Sequence, residues 1–153
     1  MNVEFMNPFL NNVINVLEVM GHTELQVEKP KIKKGDIAFG DISGLIGMVG
    51  PKTKGSFSIT FEKQLALRVM RRMLGDNLQE IDDEVSDMVG EITNMVTGGA
   101  KKELSAKGYE FDMATPIVVA GKNHTINHKH DGHVIFIPFS SDSGKLYIEI
   151  CFG

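Results

Sequence analysis

A chain of 153 residues, 42% hydrophobic and 24% charged, has the composition of one soluble globular domain with a sizeable core. Its net charge of −4 argues against nucleic acid as the main partner, and the short basic runs 29–34 and 68–72 read as solvated faces. The single cysteine, Cys151, excludes an internal disulfide framework and any all-cysteine metal site.

The opening stretch lacks a basic leader, and Asn11, Asn12 and Asn15 break its apolar run. Neither a signal peptide nor a membrane span is expected, and a cytoplasmic address follows by default. Pro8 to Met20 predicts a helix: proline suits a first turn, Gly21 suits the end, and Phe9, Val13, Val16, Leu17 and Met20 make an apolar stripe. Leu25 to Pro30 suggests a short strand. Ile37 to Gly50 reads as a long strand bent or bulged at Gly40, Gly44, Gly47 and Gly50, before a turn over Pro51 to Lys54. In the next strand Phe57, Ile59 and Phe61 alternate with Ser56, Ser58 and Thr60. A second amphipathic helix runs from Glu62 to Leu74 and stops at Gly75-Asp76-Asn77.

The segment Asp82 to Gly108 organises the chain. Val85, Met88, Val89, Ile92, Met95, Val96, Ala100 and Leu104 recur at three- and four-residue steps, the period of a helix that buries one face. Asp82, Asp83 and Glu84 suit its N-terminus, Lys101, Lys102 and Lys107 lie towards its C-terminus, and Gly108 marks the stop. The continuing apolar rhythm favours an unbroken helix through Gly98-Gly99. Gly99 is then expected to face the core and let the helix settle on a sheet, with Gly98 facing out. Asp87, Glu91, Asn94 and Gly98 fall together on the opposite side and form the candidate active surface.

Three more strands are predicted at Pro116 to Ala120, His133 to Phe139 and Lys145 to Phe152, with Pro138 marking an edge or a bulge. The last should be half buried, since Leu146, Ile148, Ile150 and Phe152 alternate with Lys145, Tyr147, Glu149 and Cys151. The expected class is α+β over a single domain, residues 1–153. A mostly antiparallel sheet of about six strands, in two three-strand runs, carries the long central helix and two further helices. Each half opens with a helix, as after an old duplication.

The sequence holds no Gly-rich phosphate loop, nucleophile elbow or zinc-protease helix. Two constellations remain. The first is Glu91-x-x-Asn94 with Asp87 one turn earlier; on spacing alone an ordinary solvated helix face accounts for it, and Glu4-x-x-Asn7 matches the same pattern without being assigned a role. The second is His124, His128, His130 and His133 near Asp131, where a polar hairpin loop competes with a zinc or nickel site. No metal of its own is assigned to the chain.

The string Asp87-x-x-x-Glu91-x-x-Asn94, running into Met95, Gly98 and Gly99 and followed by Pro116 in "TPIVVAG", resembles the signature of the CheC/CheX/FliY family of bacterial chemotaxis phosphatases. The expected first helix, Pro8 to Met20, has no Glu-x-x-Asn pair, a departure from the two-helix CheC pattern that favours the CheX branch. The resemblance implies acceleration of aspartyl-phosphate hydrolysis on the response regulator CheY. It implies Asn94 as the water-orienting residue and Glu91 as the group that pairs with a receiver lysine; Asp87 serves as helix-face charge or in partner docking, and an outward Gly98 leaves the ridge low enough for a partner's backbone to approach. It further implies Mg2+ on the receiver, no cofactor of the chain's own, and a homodimer joined through its sheets. A non-catalytic module that holds a receiver or a flagellar switch component is the alternative.

Overall fold

The computed structural model describes residues 3–51, 54–75, 77–128 and 132–152. Three helices, α1 (Val3–Val19), α2 (Lys63–Leu74) and α3 (Asp83–Ala106), lie on one eight-stranded sheet. The strands are β1 (Gln26–Val27), β2 (Lys31–Ile32), β3 (Ile42–Val49), β4 (Lys54–Phe61), β5 (Asp112–Met113), β6 (Ile117–Ala120), β7 (Val134–Ser141) and β8 (Gly144–Phe152). All pairings are antiparallel. The class is α+β, with two strands more than the sequence suggests: β1 falls within the predicted stretch 25–30, while β2, just beyond it, and β5 are new. No helix among the described residues is long and apolar enough to cross a membrane.

The two halves do not keep their strands to themselves. The hairpins β3–β4 and β7–β8 join through β4 and β8 at the centre. β1 and β2, from the first half, border β7 of the second, while β5 and β6, from the second half, border β3 of the first. This exchange is symmetric, and it takes the place of two separate three-strand runs.

One face of the sheet carries the helices. Ile42, Ile46, Met48, Phe57, Ile59, Phe61, Ile137, Phe139, Leu146, Ile148 and Ile150 form it, and all are buried under α1, α2 and α3. Burial at about 25 cal/mol per Å2 of apolar surface makes this the main source of stability. The register of β3 on β4 is continuous from Ile42↔Phe61 to Val49↔Lys54, so no bulge stands at Gly44 or Gly47, and the strand begins at Ile42 rather than at Ile37. Gly44 is instead a close-approach position, described below. The turn predicted at 51–54 lies partly outside the described residues, as does Asp76.

The other face departs most from expectation. Ser56, Ser58 and Thr60 fall on it by their alternation with Phe57, Ile59 and Phe61, and β8 is expected to be half buried. Yet Ser58 and Thr60 are fully buried, Ser56 nearly so, and β8 is covered on both sides from Leu146 to Cys151. Two irregular segments form the cover and bond to each other: Ala38 N donates to His124 O at 2.8 Å and Ile126 N to Asp36 O at 2.7 Å. Phe39 lies against Phe136 and Tyr147, with ring centroids 4.7 and 5.7 Å away. Beneath them Lys33 Nζ meets Glu149 Oε2 at 2.8 Å, with both side chains at most 2% exposed, so the basic run at 29–34 is not wholly solvated. Burial also pushes the Cys151 thiol up from its ordinary pKa.

Pro138 has its predicted setting. Val27 stands opposite Phe139 and Lys31 opposite Phe136, so the edge advances one residue more than β7 does beside Pro138. The nitrogen that cannot donate faces this irregular edge, and β7 keeps its register with β8.

α1 begins five residues before the predicted start, and Pro8 is its sixth residue rather than its first-turn proline. The missing N–H forfeits one intrahelical bond near the N-terminus, while Phe9, Val13 and Leu17 are fully buried and hold the helix to the sheet. At its C-terminal end the left-handed residue is His22 (φ 48°), not Gly21. Gly21 is small for a different reason: a Cβ there would stand 3.0 Å from Leu17 O and 3.2 Å from Val69.

Candidate functional site

α3 forms as the sequence dictates. Asp82 caps it, its carboxylate accepting from Val85 N at 3.0 Å, with Asp83 and Glu84 in the first turn. The helix runs unbroken through Gly98 and Gly99, and Gly108 (φ 91°) follows its C-cap, Lys107. Val85, Met88, Val89, Ile92, Val96, Ala100 and Leu104 are buried as predicted, whereas Met95 is half buried. Sequence reasoning missed Thr93 and Thr97, both fully buried in the same arc. Their four-residue spacing from Val89 and from each other is the signal that places them there.

The opposite ridge is open. Asp87, Glu91 and Asn94 are exposed, and none of their side chains has a hydrogen bond or ion pair among the described residues. Glu91 and Asn94 are one helical turn apart, a spacing that leaves about 5–6 Å between Cβ atoms. Gly98 continues the ridge as a notch: a Cβ built on it would meet nothing within 4 Å. The four residues share one face of α3.

Gly99 does not settle on the sheet. A Cβ there would overlap the Asn12 carboxamide of α1, so Gly99 is a helix–helix contact. Asn12 Nδ2 also bonds Pro8 O at 2.7 Å and Glu103 Oε2 at 2.6 Å, which ties α1 to α3.

The longer α1 changes the reading of Glu4 and Asn7. They lie inside α1, so the first helix does carry a Glu-x-x-Asn pair. Its carboxylate is already engaged: Tyr109 donates to Glu4 Oε2 at 2.8 Å, a bond that pushes the phenol up from its ordinary pKa. Glu91 has no such partner, and this separates the two pairs chemically.

Among the described residues the histidines do not converge on a common site. His124 bonds Ser43 Oγ at 2.7 Å and Gly121 O at 2.7 Å, and His128 bonds Ser56 Oγ and, at 3.0 Å, Glu149 Oε1. Both pin the covering segment to the polar face of the sheet, and His128 lies outside any strand. His130 and Asp131 lie outside the described residues. Among the described residues no three His, Cys, Asp or Glu side chains group as metal ligands.

A depression of about 600 Å3 is lined by Glu62, Arg68 and the β7–β8 turn, with neither Glu91 nor Asn94 in its wall. The candidate groups stand on an exposed helix face instead. Such groups can complete a cleft that belongs to another molecule, but they do not enclose a small substrate themselves.

Comparison with known proteins finds relatives of this chain. Residues 42–140 match the family described as "Chemotaxis phosphatase CheX". The fold is similar to that of a CheC-like superfamily protein from Shewanella sp. PV-4, 65% identical, with 100% of this chain and 99% of the other covered and a TM-score of 0.95. It is also similar to the CheX–CheY–BeF3–Mg2+ complex from Borrelia burgdorferi, at 26% identity, 97% coverage of both chains and a TM-score of 0.82. The CheY-P phosphatase CheX of Thermotoga maritima is 24% identical over 157 residues, 100% of this chain and 99% of that protein. The match over 42–140 takes in β3, α3 and most of β7, and by it this chain belongs to the chemotaxis phosphatase CheX family.

Proposed function

We propose that this protein accelerates hydrolysis of the aspartyl phosphate on a CheY-type response regulator. Asn94 orients the attacking water and Glu91 docks to the receiver. One observation carries the reading: in a member of this family, a carboxylate and a carboxamide stand bare and exposed one turn apart on α3. Water attacks phosphorus, the bond to the aspartyl oxygen breaks, and a carboxylate and inorganic phosphate are left. A phosphorylated receiver brings its own Mg2+, so this chain needs no cofactor. What it supplies is position, which is most of the work in phosphoryl transfer. The Asn94 carboxamide offers an acceptor for a water proton and donors for a phosphoryl oxygen, and its neutrality avoids repelling the phosphoryl group. Glu91 pairs with a receiver lysine, Asp87 adds charge to the docking face, and the Gly98 notch admits the partner's backbone.

The test is a time course of phosphate release from phosphorylated CheY, with and without catalytic amounts of this protein. An unchanged rate rejects the enzyme and leaves a receiver-binding module. Glu91→Lys places two cations together and is expected to weaken complex formation by about tenfold or more. Unchanged affinity, measured by calorimetry with beryllofluoride-loaded receiver, removes Glu91 from the contact. A cytoplasmic address goes with such a partner. The family resemblance also supports a homodimer, and Ile37, Phe39, Ile117 and Val119 leave apolar surface exposed for it. A monomer mass by light scattering removes that part of the reading.

A further inference from the structure

α3 touches the sheet at one point where the strand offers no side chain. Gly44, in the middle of β3, faces the helices. A Cβ built on it would overlap the Thr93 hydroxyl and stand 3.0 Å from Thr93 Cβ. Thr93 has little freedom to move aside: it is fully buried, and its hydroxyl donates to Val89 O at 2.7 Å. Thr97 repeats the arrangement one turn on, donating to Thr93 O at 2.8 Å. A β-branched side chain tied back to its own helix holds one rotamer. Nor can the strand give way easily, because Gly44 is paired with Ile59 of β4 on one side and Val118 of β6 on the other. The contact is a hard stop between helix and sheet.

Thr93 immediately precedes Asn94. At about 100° per residue the ridge from Asp87 to Gly98 lies roughly 130° round the helix from Thr93, on the side away from the sheet. Any displacement of α3 at this stop carries Asn94 with it. We infer that Gly44 and Thr93 are positioning residues for the phosphatase reaction, their contact setting the height and rotation at which α3 presents Asn94. The inference rests on the role proposed above for Asn94. An in-line water requires placement to a fraction of an ångström, and about 1 Å of error can cost 100-fold in rate. A long carboxylate such as Glu91 can follow a small shift by changing rotamer, so docking is far less sensitive than chemistry.

The test is a double-mutant cycle read as kcat against CheY-P, with affinity for beryllofluoride-loaded receiver measured in parallel. Gly44→Ala lifts the helix; kcat is expected to fall about tenfold or more with affinity within about twofold. Thr93→Ala removes the stop and lowers kcat about fivefold. In the double variant the two methyl carbons start 3.0 Å apart, a contact that a shift of a few tenths of an ångström relieves. The added methyl fills the vacated space, and kcat returns to within about twofold of wild type. Gly44→Ala thus changes sign: harmful alone, restorative beside Thr93→Ala. A folded Gly44→Ala protein with wild-type kcat overturns the inference, and so does a further loss in the double variant. If Gly44→Ala fails to fold, the comparison of Thr93→Ala with the double variant decides alone. Wild type and Asn94→Ala are run beside the cycle. Turnover absent from wild type, or retained in Asn94→Ala, sinks the role of Asn94. Those controls behaving as expected without a sign reversal sinks only this inference.

Discussion

Asn94→Ala is expected to remove the added dephosphorylation of CheY-P, lowering kcat by about 100-fold or more, equivalent to about 2.7 kcal/mol of barrier. Affinity for a beryllofluoride-loaded receiver should change less than about twofold, because truncation deletes water-orienting atoms and leaves Glu91 in place. The folded state should not suffer. Asn94 is exposed and unpartnered, and alanine is the better helix former by several tenths of a kcal/mol. A melting temperature at or slightly above wild type, together with lost turnover, separates a chemical role from a structural one. Asn94→Asp sharpens the test. It keeps the shape but sets a carboxylate against an anionic phosphoryl group and removes the donors, so it should be as inactive as alanine. Activity in Asn94→Asp would point to a general base and reject the neutral-amide mechanism, and full activity in Asn94→Ala would reject any role for the side chain.

α3 was legible because its signals agree. The acidic cap, the apolar arc and Gly108 each mark the same helix, and the structure moves its ends by one or two residues. The exposed ridge followed from the same periodicity. What the ridge rests on was not legible. Gly44 reads as a bend in a strand, and only the register on β4 shows a straight strand with Thr93 above it. The second face of the sheet failed for a related reason. Alternation reports which residues differ from their neighbours, not whether the polar ones meet water. Ser56, Ser58 and Thr60 alternate cleanly, yet they lie beneath two segments with no period of their own. Histidines that read as possible metal ligands turn out to anchor that cover. Pro8 misled because a proline near a helix start is usual at the first position, but one lost bond further in is tolerable when Phe9 and Val13 are buried.

That cover sets the largest expected effect on stability. Glu149 sits between Lys33 and His128 with all three side chains at most 3% exposed. Lys33 also lies 5.9 Å from the centre of the Phe39 ring, part of the covering segment itself. Glu149→Gln keeps the volume but leaves a buried ammonium without its counter-charge, which costs about 3–5 kcal/mol in such settings. For a domain of this size each kcal/mol moves the midpoint by roughly 2–4 °C, so thermal unfolding should fall by on the order of 10 °C. Lys33→Met in the same chain removes the stranded charge and should restore most of that loss, since a well-packed apolar pair often matches a buried ion pair. The site predicts its own control: Asn94 stands on the helix side and Glu149 on the other, so kcat per folded molecule should hold at temperatures where Glu149→Gln remains folded. A midpoint within about 2 °C of wild type would mean that Lys33 reaches water when Glu149 is neutralised, and that the cover over this face opens far more readily than its hydrogen bonds suggest.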